Sequence, residues 1–198
     1  MKVNLLNYTP LSVADAAIGK CYDKGCHTDI DKMTNRIGNV ANGKKHASTI
    51  EHISYNFDID GVSRALLQEL ARHRIASYSV KSTRYTLKEL KKADEAELDK
   101  FLVLTGNGII DEVVYKQLEM LRHTLITHDM PNDIAKYMLP EAYKTSLVMT
   151  INARSLQNFI ALRSDKHALW EIQDLAKAMY NALPEDHKFL FENFLKVC

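Results

Sequence analysis

The chain has 198 residues, a length that buries most of its apolar surface in one core and fits a single domain, 1–198. Hydrophobic residues make up 46% and charged residues 26%, ordinary values for a globular protein, and no run approaches the roughly 18 to 20 apolar residues of a membrane span. A net charge of +1 argues against a globally basic nucleic-acid binder.

The opening Met-Lys-Val-Asn-Leu-Leu-Asn-Tyr-Thr-Pro lacks the apolar stretch and cleavage site of a secretory signal. Cys21, Cys26 and Cys198 are odd in number and give no disulfide framework, so the cytoplasm is the default location. Residues 10–20 read as a short helix with Pro10 near its first turn and Gly19 near its end. Residues 21–45 are polar and irregular, with Gly25, Gly38 and Gly43 as breakers and room for some helix. From 52 to 60 the chain alternates strictly: Ile53, Tyr55, Phe57 and Ile59 are apolar, their neighbours polar, which predicts a half-buried strand. Gly61 ends it, and Ser63 caps a helix whose stripe of Leu66, Leu67, Leu70 and Ala71 runs to about His73. Arg72 and Arg74 then sit at that helix's negative pole.

Residues 87–100 predict a charged, exposed helix. A longer one spans 109–128, burying Val113, Leu118, Leu121 and Leu125. Pro131-Asn132-Asp133 opens a short helix that Pro140 ends, and 142–151 predicts a second strand. Three helices follow, at 153–162, 165–182 and 185–197. Two strands do not make a stable sheet, so others are needed, with the N-terminus as a source. The class is α+β: a helix-rich single domain with a small, mostly antiparallel sheet.

Two segments carry the chemistry. The first, Arg72-His73-Arg74-Ile75-Ala76-Ser77-Tyr78-Ser79-Val80-Lys81-Ser82-Thr83-Arg84-Tyr85, has four cations and no acidic residue. In a chain of near-zero net charge this pattern points either to a discrete anionic ligand or to a solvated basic face. Arginine suits phosphate because its planar fork donates two parallel hydrogen bonds, and Ser82 and Thr83 add neutral donors. Tyr85 by itself reads as a core aromatic. His46, His52 and His73 lack the ligand spacing of a metal site. Ser82 has no adjacent base to make it a nucleophile.

The second segment is Asn152-Ala153-Arg154-Ser155-Leu156-Gln157-Asn158-Phe159, followed by Leu162-Arg163-Ser164-Asp165-Lys166-His167. Arg154 and Asn158 share a helix face while Leu156, Phe159 and Ile160 face the core. Arg163 lies nine residues after Arg154, about half a turn out of phase at roughly 100° per residue. One straight helix would not bring the two arginines together. Arg163 is therefore placed at a helix end, with Ser164 and Asp165 capping the next helix, and the two arginines are expected to serve different ligands or different copies of a site.

The seven positions Arg72, His73, Arg74, Ser77, Ser82, Arg84 and Tyr85 together resemble the hallmark of flavin-dependent thymidylate synthases. The block from Asn152 to His167, Gln68-Glu69-Leu70 and the stretch from Ser48 to His52 resemble the same family. The resemblance implies that family's fold and its activity: an enzyme making dTMP from dUMP, with methylenetetrahydrofolate as carbon donor and FAD, reduced by NADPH, as hydride carrier. It implies FAD contacts at His46, Ser48, Arg72, His73, Arg74, Asn152, Arg154, Asn158 and His167. It implies dUMP contacts at Glu69, Arg72, Lys81, Ser82, Thr83, Arg84, Lys136 and Arg163, with Ser82 and Arg84 on the phosphate. It implies that Arg163 is the catalytic residue, on the uracil edge. It implies too that no protein cysteine acts as nucleophile, in keeping with the place of Cys21, Cys26 and Cys198 outside every motif. The family's homotetramer shares active sites between subunits, with neither nucleic acid nor membrane as partner. Val80 and Lys136 depart from the common pattern, which has an acidic or amide side chain and an Arg there; both changes bear on nucleotide affinity. Two other readings stand beside this one: a polyanion-binding module built on 72–85, and a flavoprotein with an altered reaction.

Overall fold

Strand β1, Lys2–Tyr8, supplies the N-terminal strand that the sheet requires. The computed structural model describes residues 1–196; the remaining two, Cys198 among them, lie outside it. The other strands are β2 (Ser54–Ser63), β3 (Ala76–Val80) and β4 (Lys144–Asn152), in the order β1-β2-β4-β3. The result is a helix-rich α+β fold with a small antiparallel sheet. Ile53, just before β2, and Tyr55, Phe57 and Ile59 on it are fully buried, as their alternation predicts; on β4, Leu147, Met149 and Ile151 repeat the pattern.

Several boundaries differ from the sequence reading. Gly61 does not end β2: it adopts φ +73, a conformation open to glycine, and the strand continues to Ser63. Helix α1 is Leu11–Cys21, and α2, Ile30–Gly38, runs on through a wider turn at Asn39–Gly43, so Gly38 is no breaker. Asp29 caps α2 by accepting from the Lys32 amide at 3.0 Å. Gly19 is needed where it stands, because a Cβ there would lie 2.7 Å from the Lys24 carbonyl oxygen.

The chain divides into two compact units. The first is built from Met1–Ile59, Ala71–Tyr78 and the stretch from Val148 onward. Its last helices are α7 (Ala153–Arg163) and α8 (Trp170–Asn181), then a 3-10 helix, Glu185–Leu190. The expected helix 185–197 is thus a short 3-10 helix and a turn, and its final residue lies outside the described ones. Helix α8 starts five residues late because Ser164 does not cap it. The Ser164 hydroxyl instead donates back to the Ile160 carbonyl at 2.7 Å, closing α7.

The second unit comprises Asp60–Leu70 and Ser79–Leu147. Helix α3, Arg64–Leu70, starts where Ser63 Oγ accepts from the Leu66 amide at 3.0 Å. It ends at Leu70, so Arg72 and Arg74 fall beyond it and are not last-turn cations. The predicted helix 87–100 is displaced: α4 covers Thr83–Lys92, and a 3-10 helix, Glu95–Phe101, follows an extended break at Ala93. Arg122 Nε holds that break by donating to the Ala93 carbonyl at 2.9 Å. Helices α5 (Gly108–Thr127) and α6 (Asn132–Ala135) complete the unit. Leu87, Leu90, Leu118, Leu121 and Leu125 form its core with Leu98, Leu102 and Tyr143. Val113, read as buried, is 59% exposed, because the face of α5 that packs is the one carrying Leu118, Leu121 and Leu125.

Candidate functional site

His73 is the best-anchored residue of the first motif. It lies in the loop between α3 and β3, half-buried between exposed Arg72 and Arg74. The Tyr78 hydroxyl donates to the His73 carbonyl at 2.8 Å, and burial pushes that phenol up to about 12, so it stays a donor at neutral pH. The imidazole stands edge-on to buried Phe159, with centroids 4.9 Å apart. Arg163 Nε donates to His73 Nε2 at 2.9 Å.

Helix α7 supplies the opposite wall. Asn152 caps it, its Oδ1 accepting from the Ser155 amide at 2.8 Å, so its Nδ2 is the group available to a ligand. Leu156, Phe159 and Ile160 are fully buried, while Arg154 and Asn158 lie on the exposed face, as the spacing predicts. Arg154 is paired with Glu51 at 2.6 Å. Beyond Arg163 the chain makes a tight turn in which Asp165 accepts from the His167 amide at 3.0 Å. Lys196 Nζ reaches the same carboxylate at 2.7 Å and, with the His167 amide, holds its pKa below the usual carboxylate value.

These elements enclose a cavity of about 1040 Å³. Seven of the nine sequence-predicted flavin residues line it: Arg72, His73, Arg74, Asn152, Arg154, Asn158 and His167. Arg163 lines it too. Helical phase alone separates Arg154 from Arg163, yet both face one cavity, because it extends round the end of α7 to the 165–168 turn. Lining one cavity, the two arginines can still serve different ligands there, as expected. Five cations of the lining (Arg72, Arg74, Arg154, Arg163 and Lys196) outnumber two carboxylates, Glu51 and Asp165. A polyanion is the natural occupant.

His46 and Ser48 lie in a second cavity of about 290 Å³, which Arg154 also lines. Cys21 lines it as well, so this cysteine is not remote from the predicted residues, as its place in the sequence suggests. Lys196 and Asp165 were also missed; Lys196 stands in no motif, and only folding brings it to the cavity.

The remaining predicted residues belong to the second unit. Glu69 is on α3, half-buried. Lys81 pairs with Glu89 at 3.0 Å, and Arg84 lies 3.6 Å from Asp133. Ser82 stands at the N-terminus of α4 without capping it by its side chain, and Thr83 opens the helix. Lys136 Nζ lies over the Tyr137 ring, 6.0 Å from its centroid. Tyr85 is 67% exposed and is not the core aromatic its residue type suggests. Among the described residues, no three His, Cys, Asp or Glu side chains are placed to hold a metal ion.

Residues 4–187 match the family described as thymidylate synthase complementing protein. The chain is 53% identical to the flavin-dependent thymidylate synthase of Campylobacter jejuni strain RM1221 over 206 aligned residues, covering 98% of each chain. It is 48% identical to the enzyme of that name from Helicobacter pylori strain 26695, over 99% of this chain and 100% of the other. Its backbone matches the crystal structure of thymidylate synthase X from Helicobacter pylori with FAD and dUMP, at a TM-score of 0.92, 46% identity and full coverage of both chains. By sequence over nearly its whole length, and by the course of its backbone, the chain belongs to the flavin-dependent thymidylate synthase family.

Proposed function

We propose that the chain converts dUMP to dTMP with methylenetetrahydrofolate as carbon donor and FAD, reduced by NADPH, as hydride carrier, and without a cysteine nucleophile. The observation that carries this reading is the convergence of residues 72–74 with 152–167 on one cationic cavity of about 1040 Å³. Ordinary small-molecule pockets span roughly 300–1,000 Å³, so this one suits a ligand as large as a dinucleotide cofactor. The residues fit FAD. Arg72, Arg74 and Arg154 match a diphosphate, while Asn152, Asn158, His73 and His167 offer hydrogen bonds of fixed direction. His46 and Ser48 extend the contacts into the neighbouring cavity past Arg154. FAD bound here supplies the hydride, and the protein supplies orientation and electrostatics.

Arg163 is assigned to the uracil edge. Held through Nε by His73, its guanidinium has a set plane, which is what a planar base edge requires. A cation at that position favours ionisation at N3 and stabilises the charge that develops on the ring. Ser82 and Arg84 are assigned to the dUMP phosphate: the first turn of α4 directs backbone N–H groups outward, and a helix N-terminus favours an anion. Glu69, Arg72, Lys81, Thr83 and Lys136 complete the nucleotide contacts. Lys136 brings a point charge where the family's common pattern has an arginine fork, and Val80 offers no polar contact; both changes bear on nucleotide affinity.

Both units are taken to act as one domain, since the family match spans 4–187. A homotetramer with shared sites is supported by the apolar side chains exposed on α5, Ile109, Val113 and Met120, which suit a subunit contact. Cytoplasmic location agrees with the lack of a disulfide framework; among the described residues no helix is long and apolar enough to cross a membrane. The test is the absorbance spectrum of the purified protein, with and without dUMP, followed by turnover. A flavin spectrum perturbed by dUMP, and dTMP formed from dUMP, methylenetetrahydrofolate and NADPH, are expected. Protein that neither retains nor binds FAD would sink the reading.

A further inference from the structure

We infer that Lys196 is a positioning residue for the flavin cavity: it locks the turn 164–168, and thereby the place of His167, from a point some thirty residues further along the chain. The inference rests on the proposed FAD site but concerns a residue outside every motif that identifies the family.

The lock is a continuous set of hydrogen bonds. Ser164, fully buried, donates through Oγ to the Ile160 carbonyl at 2.7 Å, which fixes its hydroxyl to the last turn of α7. The same oxygen accepts from the Lys196 backbone amide at 2.9 Å, so the tail is tied to the helix end through main chain. The Lys196 side chain then turns to Asp165, Nζ to Oδ2, at 2.7 Å. The other carboxylate oxygen, Oδ1, accepts from the His167 amide at 3.0 Å. One carboxylate therefore joins the tail to the residue that faces the ligand. Lys196 itself lines the cavity.

An isolated exposed ion pair contributes little, because solvent screens it and two long side chains must be ordered. Here the lysine backbone is already held, so forming the pair orders fewer degrees of freedom, and the pair shares its carboxylate with the turn. Its effect is to preorganise the turn, which lowers the ordering cost of binding.

The test uses full-length protein with its flavin removed, titrated with FAD and followed by flavin fluorescence. Lys196→Gln is expected to weaken FAD binding about tenfold, the order of one charge-assisted hydrogen bond. Lys196→Arg restores it, and Lys196→Gln has no further effect once Asp165→Asn is present, because both act through one carboxylate. In the flavin-free protein, Lys196→Gln speeds amide exchange at His167. Wild-type affinity in Lys196→Gln overturns the inference, as does unchanged exchange at His167. An undiminished effect of Lys196→Gln in the Asp165→Asn background also overturns it, showing direct contact with ligand. Wild-type protein that binds no FAD overturns the functional reading itself, an outcome distinct from the others.

Discussion

Arg163 and His73, ninety residues apart in sequence, meet through one hydrogen bond, Nε to Nε2, of 2.9 Å. An arginine Nε–H only donates, so His73 Nε2 accepts and the ring carries its proton on Nδ1. The bond joins the two motifs that identify the family. It also gives Arg163 a fixed orientation that its position at the end of α7 would not by itself provide.

Arg163→Ala is expected to lower kcat/KM for dUMP about 10²–10³-fold, the usual effect of removing a donor that stabilises developing charge. Flavin content should remain close to wild type, since other residues of the lining hold the cofactor. The check is dTMP formation alongside the flavin absorbance; full activity in the variant would remove the role given to Arg163.

Arg154→Ala separates stability from binding. Its partner Glu51 and the arginine are both about half exposed, so the pair adds at most about 1 kcal/mol to folding. Loss of a charge-assisted contact to the cofactor costs about 1.5–3 kcal/mol, or roughly 10- to 150-fold in FAD affinity. Thermal melting should barely move while the FAD titration shifts; the reverse pattern would make Arg154 structural.

The thiols can be tested together. A variant with Cys21→Ser, Cys26→Ser and Cys198→Ser should still turn over dUMP, because no thiol is assigned a role; an essential thiolate would not be replaced by a serine hydroxyl without an activating base. Cys21 is the informative one, since it lines the cavity shared with His46 and Ser48. Complete loss of turnover with FAD still bound would point to a thiol nucleophile.

Asp15 is fully buried in the first unit and accepts from the His27 amide at 2.7 Å, from His27 Nδ1 at 3.0 Å and from Arg36 at 3.1 Å. Burial by itself raises its pKa, but the His27 and Arg36 hydrogen bonds outweigh this and leave it lowered. Asp15→Ala takes the carboxylate from Arg36, which keeps its bond to the Gly25 carbonyl, and should destabilise the fold by about 3 kcal/mol, roughly 6–12 °C in Tm. A lowered carboxylate stabilises the fold above its unfolded pKa, and that contribution is lost as pH falls below about 4. Calorimetry of the variant reads both effects, and a Tm within a degree or two of wild type would show the cluster to be dispensable.

His187 acts in a higher pH window. It is fully buried, its Nδ1 is 2.8 Å from the Tyr55 hydroxyl, and burial lowers its pKa despite the nearby Asp186 charge. Below about pH 6.5 the unfolded chain takes up a proton that the folded chain refuses, so stability falls with acid, by up to about 1.4 kcal/mol per pH unit. His187→Gln removes the titration, and denaturant unfolding between pH 7.5 and 5 should become flatter. An unchanged slope would assign the acid sensitivity elsewhere.

What the amino-acid sequence determined by itself was local. The alternation from Ile53 to Ile59, the cap at Ser63 and the stripe Leu118, Leu121 and Leu125 depend on neighbours two to four residues away, and each appears in the structure as read. Family membership was legible for the same reason, because the fixed positions of Arg72 to Tyr85 lie within one short stretch. Strand β3 was not: Ala76, Tyr78 and Val80 do alternate with Ser77 and Ser79, but the run is only five residues long, none of them is buried, and pairing with β4 completes it as a strand. The meeting of Arg154 with Arg163 on one cavity, the approach of Cys21 to His46, and the docking of Lys196 on Asp165 were decided by tertiary structure alone. Each depends on where distant segments pack, and packing responds to the summed burial of the whole core, which no window of sequence contains.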